Sequence, residues 1–503
     1  MEQLRQRLLE IYHLNSILAI LGWDRDVFMP CEGAQARAAK IAYLSGLLHQ
    51  KIISLDSDGL LSKLKERLGQ PKVYPAKKLP TEDMAIVRET WRSFKREKKL
   101  TEDFVKELAE TTSQAQMVWA ESRKKADFKT FLPWLEKILH LKKKEAGMLG
   151  YDKSPYDLLL DYYEPGMTAE KTEKILNDLK ISLSDLLKKI KRSKVKIPAL
   201  KTKNIFSTEK QIDFNKKVAK KIGFNFDCGR MDQSVHPFCV GFHPNDVRIT
   251  TRYDERDPLY SFGSTIHEAG HALYEQGILP RYFGTPLGEG VSYGIHESQS
   301  RLWENMIGKS FAFWQHFYPI LKKEFPTPFG EISLEKFYCS LNSVKPSLIR
   351  TDADEVTYNL HVILRFEIER DLMEGKIAAK DLPEIWNGKM KKYLGVKPPN
   401  DRMGILQDVH WAMGGIGYFP TYALGNLYAA QFYDKMKKDM PDIEKKISGG
   451  NFGEIKSWLG ENIYSKGKLQ SADELTRAIT GEDLNPKHFF SYIENKYTEI
   501  YKL

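Results

Sequence analysis

Apolar residues at Leu4, Leu8, Ile11, Leu14, Leu18 and Leu21 recur every three or four positions, the period of a helix that buries one face. A turn is expected next, near Met29-Pro30-Cys31-Glu32-Gly33. The helical period returns over residues 34–53, 84–94, 102–122 and 169–191, and Thr101 and Thr168 stand where the last two of these need N-caps. Residues 156–168 (YDLLLDYYEPGMT) read as a turn-containing connection, and 193–206 (SKVKIPALKTKNIF) as a basic loop too broken by proline for a helix. The first 230 residues are therefore predicted to be mostly helical.

The texture changes over residues 235–253. HPFCVGF and VRITTRY are rich in β-branched and aromatic residues around Pro244-Asn245-Asp246, which predicts a hairpin. Directly after it, Pro258–Gly277 reads as a helix, with Asp257 as N-cap, Pro258 at the first position and Gly277 as a left-handed terminator. Helical signals resume over 292–306, 353–373, 422–438 and the closing segments, and no repeat of twenty to fifty residues is visible. The predicted architecture is mainly α, a large single helical body of residues 1–503 with a small β-hairpin beside the 258–277 helix. Its first part, 1–230, is helical; its second, 231–503, carries the chemistry.

Composition narrows the classes. An apolar content of 42% with 12% aromatics supports a sizeable core, and no apolar run approaches the eighteen residues of a membrane span. The opening MEQLRQRLLEIYHLNSILAILGW is acidic and helically periodic, unlike a signal peptide. Cys31, Cys228, Cys239 and Cys339 lack paired spacing and suit reduced thiols, so a cytoplasmic protein is expected. The formal charge of +10 raises the question of nucleic acid. The lysines, however, cluster at 142–144, 188–203 and 435–438 among glutamates on helical segments, the pattern of solvated helix faces, and neither a nucleic-acid nor a membrane partner is expected.

The candidate chemistry lies in the 258–277 helix as His267-Glu268-Ala269-Gly270-His271. Histidines four apart stack on one helical face and can converge on one ion, while Glu268 sits where a carboxylate can act as general base toward an activated water. Gly263 and Gly270 each cost about 1 kcal/mol relative to alanine inside a helix. They fall on the His267 side, so a close neighbour is expected there, with a strand of the hairpin as the candidate. A catalytic zinc site takes three protein ligands, and Glu289, His296, Glu297 and Glu304 are available downstream. Glu297 is preferred, because it lies in a helix beginning near Ser292 that can hold it rigidly. Gly414, Gly415 and Gly417 lack the Lys-Ser/Thr of a phosphate loop.

The run GVSYGIHESQSRLWENMIG resembles a signature of the carboxypeptidase Taq family of metallocarboxypeptidases. Four further motifs of that family stand here in its order: His236-Pro237-Phe238, Asp246-Val247-Arg248-Ile249-Thr250, Ile349 to Asp354 (IRTDAD) and Gly404 to Trp411 (GILQDVHW). The N-terminal third resembles it only loosely, through Trp23-Asp24 and Met29-Pro30 with Gly33. The resemblance implies a helical, saddle-shaped homodimer with a long groove and one divalent ion per chain, zinc before cobalt, held by His267, His271 and Glu297. It also implies that the strand of Asp246, Arg248 and Thr250 is an edge strand along which the substrate backbone lies.

An exopeptidase must hold a terminal carboxylate, which a guanidinium fork suits. Arg350 is the choice, against a structural role bridging Asp354, and ahead of Arg248, Arg252 and Arg402. His410 and Tyr422 are the candidate oxyanion donors. His236, counted with the substrate-lining residues, and His243 are read as shaping residues rather than ligands. The expected activity is release of single residues from peptides with a free C-terminus. A metallo-oligopeptidase cutting internal bonds uses the same ions and base and is the nearest alternative. A non-catalytic, metal-stabilised helical binding protein is the other, against which the presence of Glu268 argues.

Overall fold

A computed structural model describes residues 1–68, 81–198, 200 and 204–503 of the chain. Helices dominate, and several begin where a side chain satisfies one of their first N–H groups. Thr101 Oγ1 accepts from Phe104 N at the start of Glu102–Lys125, and Thr168 Oγ1 accepts from Lys171 N at the start of Ala169–Arg192. Residues 193–198 are irregular as expected; positions 199 and 201–203 of that basic loop lie outside the described residues. The connection expected over 156–168 is instead a helix, Pro155–Tyr163. Ser154 caps it through Tyr156 N, and Pro155 supplies the preorganised first position, a start signal that the later Pro165-Gly166 turn obscures. Among the described residues, no helix is long and apolar enough to cross a membrane.

The hairpin forms as predicted from β2, Cys239–His243, and β3, Asp246–Thr251, antiparallel across the Pro244-Asn245 turn. A third strand escaped the sequence reading: β1, Gly229–Gln233, runs parallel to β3, so the order is β1-β3-β2. Its sequence, GRMDQ, has neither apolar alternation nor β-branched residues. This topology corrects the expectation that β3 is an edge. Both sides of its backbone are spent on neighbours, so Asp246, Arg248 and Thr250 sit on a central strand that cannot accept a peptide by strand addition. The open edges belong to β1 and β2, and the first helix, Glu2–Val27, lies against β2 with Ser16 Oγ donating to Phe242 O at 3.1 Å.

The helix Pro258–Gly277 packs on this sheet, and Val247 and Ile249 of β3 are fully buried. The helix Tyr358–Met373 is the most enclosed element, carrying His361, Arg365, Glu367 and Glu369 into the interior among its apolar residues. It starts at Tyr358 rather than near 353, because Asp354 accepts from Val356 N and Thr357 N and holds the residues between in a turn. The segment expected as one helix over 292–306 is an α-helix over Tyr293–Arg301 that widens into a π-helix over Leu302–Ile307.

Candidate active site

The helix Pro258–Gly277 begins as the sequence predicts, with Asp257 Oδ1 accepting from Leu259 N at 3.1 Å. Its end differs. Gly277 is not left-handed, and Ile278 leaves in extended conformation. Glycine is needed at 277 because a Cβ would lie 2.6 Å from the Tyr464 side chain. The neighbour of Gly270 is also not a strand. A Cβ there would approach Ser300 Cα at 2.7 Å and Gln299 O at 2.8 Å, so the helix Tyr293–Arg301 crosses at this point, while Gly263 has nothing within 4 Å. On its other side, that crossing helix meets Gly425, where a Cβ would sit 2.6 Å from Glu297 Cγ. Two glycines thus let Glu297 ride between two helix backbones.

This close crossing brings Glu297 Oε2 to 3.4 Å from His271 Nε2 and 3.8 Å from His267 Nε2. The three donor atoms lie within 4.8 Å of one another, and no other His/Cys/Asp/Glu group with such geometry occurs among the described residues. Partners on the far side of each ring set the tautomers. His267 Nδ1 meets Glu304 Oε2 at 2.8 Å, and a carboxylate can only accept, so the proton sits on Nδ1 and Nε2 keeps its lone pair. His296 Nε2 meets Glu275 Oε1 at 2.7 Å and so donates, which leaves its Nδ1 to accept from His271 Nδ1 at 2.7 Å. His271 Nε2 is therefore also free. Arg301 Nε holds Glu297 Oε1 at 2.6 Å, turning Oε2 toward the histidines.

The pocket is short of positive charge. Burial alone lowers the affinity of His267 for a proton, yet Glu297, Glu304 and Glu268 together raise it above its ordinary value. Burial and His296 hold His271 down at about 3, so that ring is neutral. Glu297 stays ionised well below the usual carboxylate range: burial opposes this, but Arg301 and the two histidines outweigh it. The Nε2 atoms of His267 and His271 and one carboxylate oxygen in a carboxylate-rich pocket fit a divalent cation, which would stand in for the proton that the carboxylates draw to His267. Glu268 lies beside them, 7% exposed and with no hydrogen bond among the described residues, and burial pushes it up to about 7.

A second cluster collects Arg350, Arg365 and Asp408. Arg350 donates through Nε at 3.1 Å and Nη2 at 3.0 Å to Asp408 Oδ1, and through Nη1 at 2.9 Å to Tyr358 OH. Arg365 donates through Nε at 2.8 Å and Nη2 at 2.5 Å to Asp408 Oδ2. The partner of Arg350 is thus Asp408, not Asp354. His410 Nε2 stands 3.2 Å from Tyr422 OH, its Nδ1 is buried without a partner, and burial holds the ring neutral with a pKa of about 3. The guanidinium of Arg350 lies 4.7 Å from the centre of the Tyr422 ring, which joins His410 and Tyr422 to this cluster.

The remaining sequence candidates lie apart in their bonding. Glu289 binds Tyr12 OH at 2.7 Å and pairs with Lys468. Asp246 and Arg248 form a fork with each other at 2.8 and 2.9 Å, and Arg248 lies over Trp23. Thr250 Oγ1 is buried, accepting from Ser234 Oγ and Phe238 N, and so ties down the β1–β2 connection next to exposed His236. His243 accepts from Asn245 N and packs on Phe283, the shaping role expected of it. Sequence reasoning weighed Glu304 and His296 only as metal ligands and passed over Glu275 and Arg301. Their spacing was the available signal: Glu275 follows His271 by one helical turn, and Arg301 follows Glu297 likewise.

Compared with known proteins, residues 3–497 match the model of the carboxypeptidase Taq (M32) metallopeptidases. Thermostable carboxypeptidase 1 of Pyrococcus furiosus is 41% identical over 99% of this chain and 98% of its own. Carboxypeptidase 1 of Bacillus subtilis is 38% identical over 98% of this chain and 97% of its own. A solved structure of the Pyrococcus furiosus carboxypeptidase superposes with a TM-score of 0.94 over 99% of this chain and 98% of that one, at 41% identity.

Proposed function

The chain belongs to the carboxypeptidase Taq (M32) metallopeptidases and is a metal-dependent carboxypeptidase, and from that premise we propose how its own residues share the work. His267, His271 and Glu297 hold the ion. The observation that carries this is the convergence of two lone-pair nitrogens and one carboxylate oxygen, each fixed from behind by Glu304, His296 or Arg301. When bound, the ion makes water more acidic and polarises the scissile carbonyl. Glu268 accepts the proton from the attacking water and delivers it to the leaving amine nitrogen, and its elevated proton affinity suits both halves of that transfer. His410 Nε2 and the Tyr422 hydroxyl supply neutral polar contacts to the developing oxyanion, since burial keeps the imidazole uncharged and the phenol protonated.

Arg350 is assigned the terminal carboxylate of the peptide. A guanidinium has five N–H groups, and Asp408 and Tyr358 occupy three of those on Arg350, which leaves two for one bidentate contact. Arg350 and Arg365 together also exceed Asp408 by one buried charge, a surplus that an anion would neutralise. Asp246, Arg248, Thr250 and His236 are assigned indirect roles in shaping the substrate side through the sheet. Zinc is the metal assigned first, cobalt second, on the two-imidazole, one-carboxylate donor set. A homodimer follows from the family resemblance alone; light scattering that returns a monomer at micromolar concentration would count against it. Four free cysteines favour the reducing cytoplasm.

The deciding experiment is mass analysis of products from one peptide offered as free acid and as C-terminal amide to the metal-loaded enzyme. Stepwise loss of single residues from the acid alone is expected. Equal cutting of both, at internal bonds, would overturn the assignment of a carboxylate site.

A further inference from the structure

The run from Gln407 to Tyr422 carries the proposed oxyanion donors, and its two halves are anchored by different groups. Arg350 N and Arg365 Nη2 hold Gln407, while both guanidiniums hold Asp408. Beyond His410 the anchor is Glu369, fully buried on the helix Tyr358–Met373. Trp411 Nε1 donates to Glu369 Oε1 at 2.7 Å, Gly417 N donates to Oε2 at 2.9 Å, and Tyr156 OH donates to Oε2 at 2.7 Å. Among the described residues no cation pairs with it. A carboxylate buried without a counter-ion is costly, so these three bonds sustain an arrangement that a neutral core would not need.

Two of the donors, an indole N–H and a backbone N–H, can never accept, and they sit on opposite oxygens. An amide at this position would therefore face a donor with its own NH2 whichever way it turned. Gly417 adds a reason for precision: its φ is +93°, and a Cβ would meet Leu159 C at 2.7 Å, so the loop is wedged against the Pro155–Tyr163 helix.

We propose that Glu369 is a positioning residue for the reaction, strapping the chain at Trp411 and Gly417 so that the His410 ring and the Tyr422 hydroxyl meet at their observed separation. The proposal rests on the reading of His410 and Tyr422 as oxyanion donors.

The test compares metal-loaded wild type, Glu369→Gln, Trp411→Phe, His410→Ala and the Glu369→Gln/His410→Ala double variant on a free-acid peptide, with metal content and thermal melting recorded. Glu369→Gln is expected to lower kcat by about ten- to a hundredfold, the scale of misplacing a catalytic contact, with KM and metal content unchanged because Arg350 keeps its separate anchors. Added to His410→Ala it should cost clearly less than it does in wild type, because the His410 share of the loss is already gone and only the Tyr422 share remains. Trp411→Phe, which releases one strap and keeps the carboxylate, should show a smaller loss of the same kind and stands in if Glu369→Gln fails to fold. Wild-type kcat in Glu369→Gln beside an impaired His410→Ala would overturn this inference alone. So would additive losses in the double variant, or a rise in KM matching the fall in kcat. Wild-type kcat in His410→Ala would instead refute the oxyanion role of His410, on which this inference rests, and would overturn it from that side.

Discussion

The two ends of the site solve opposite problems with the same device. At the metal end, Glu297 and Glu304 pair with Arg301 and Lys309, with Glu268 unpaired beside them; at the other, Arg350 and Arg365 face Asp408. The first cluster is rich in carboxylates, and the second carries one guanidinium more than it has carboxylates. On the proposed assignment, that difference decides which ligand each would accept. The means of presentation differ: the metal end uses acceptors behind two imidazoles to free lone pairs, whereas the arginine end uses a carboxylate to consume some N–H groups and leave others. A single peptide bond between a cation and a fixed carboxylate is what such a pair would address.

Removing the cation should break the comparison most completely. Dialysis against a chelator, or Ala in place of His267, His271 or Glu297, is expected to bring activity to background, with elemental analysis showing lost metal in the variants. A full equivalent of metal in Glu297→Ala would dissolve the proposed triad. Next in size, Glu268→Gln should keep its metal and lose about a hundred- to ten-thousandfold in kcat, since an amide keeps the shape but cannot take the proton. Substantial turnover by that metal-replete variant would refute the base.

At the positive end, Arg350→Ala should cost roughly 2 to 5 kcal/mol of transition-state binding, or about thirty- to several thousandfold in kcat/KM. The penalty should fall on the free-acid peptide and nearly vanish on its amide. A preference for the acid that survives would transfer the carboxylate to another arginine, with Arg248 next. The smallest expected change sharpens the contrast in presentation: Glu304→Gln or His296→Ala should weaken metal binding about ten- to a hundredfold without abolishing it, the usual scale for groups behind a ligand. Competition with a metal indicator would measure this, and unchanged affinity would mean that the histidine tautomers are fixed otherwise.

The sequence showed the metal end more plainly than the arginine end, for a physical reason. His267, Glu268 and His271 share one helical turn, so local periodicity is enough to place them on a common face. Arg350 and Asp408 come from segments 58 residues apart, and nothing local distinguishes Asp408 from Asp354 as partner. The hairpin was visible in its β-branched residues, but β1 was not, because GRMDQ becomes a strand only by pairing with β3. The helix at Pro155 was hidden by the turn that follows it. The glycines were noticed correctly as sites of close approach at 270, and assigned the wrong neighbour because a helix crossing leaves no mark in sequence. Nothing around Thr250 revealed that its strand is central rather than peripheral.

The π-helical stretch Leu302–Ile307 makes chain length part of the site. Such a turn holds an extra residue, and deleting Leu302 or Trp303 from it would move Glu304 one position back along the helix, a rotation of about 100° about its axis. Glu304 would then swing away from His267 and Arg301, although none of the proposed metal ligands had changed. Between Glu297 and Glu304 the number of residues therefore matters to the site as much as the identity of Arg301 does.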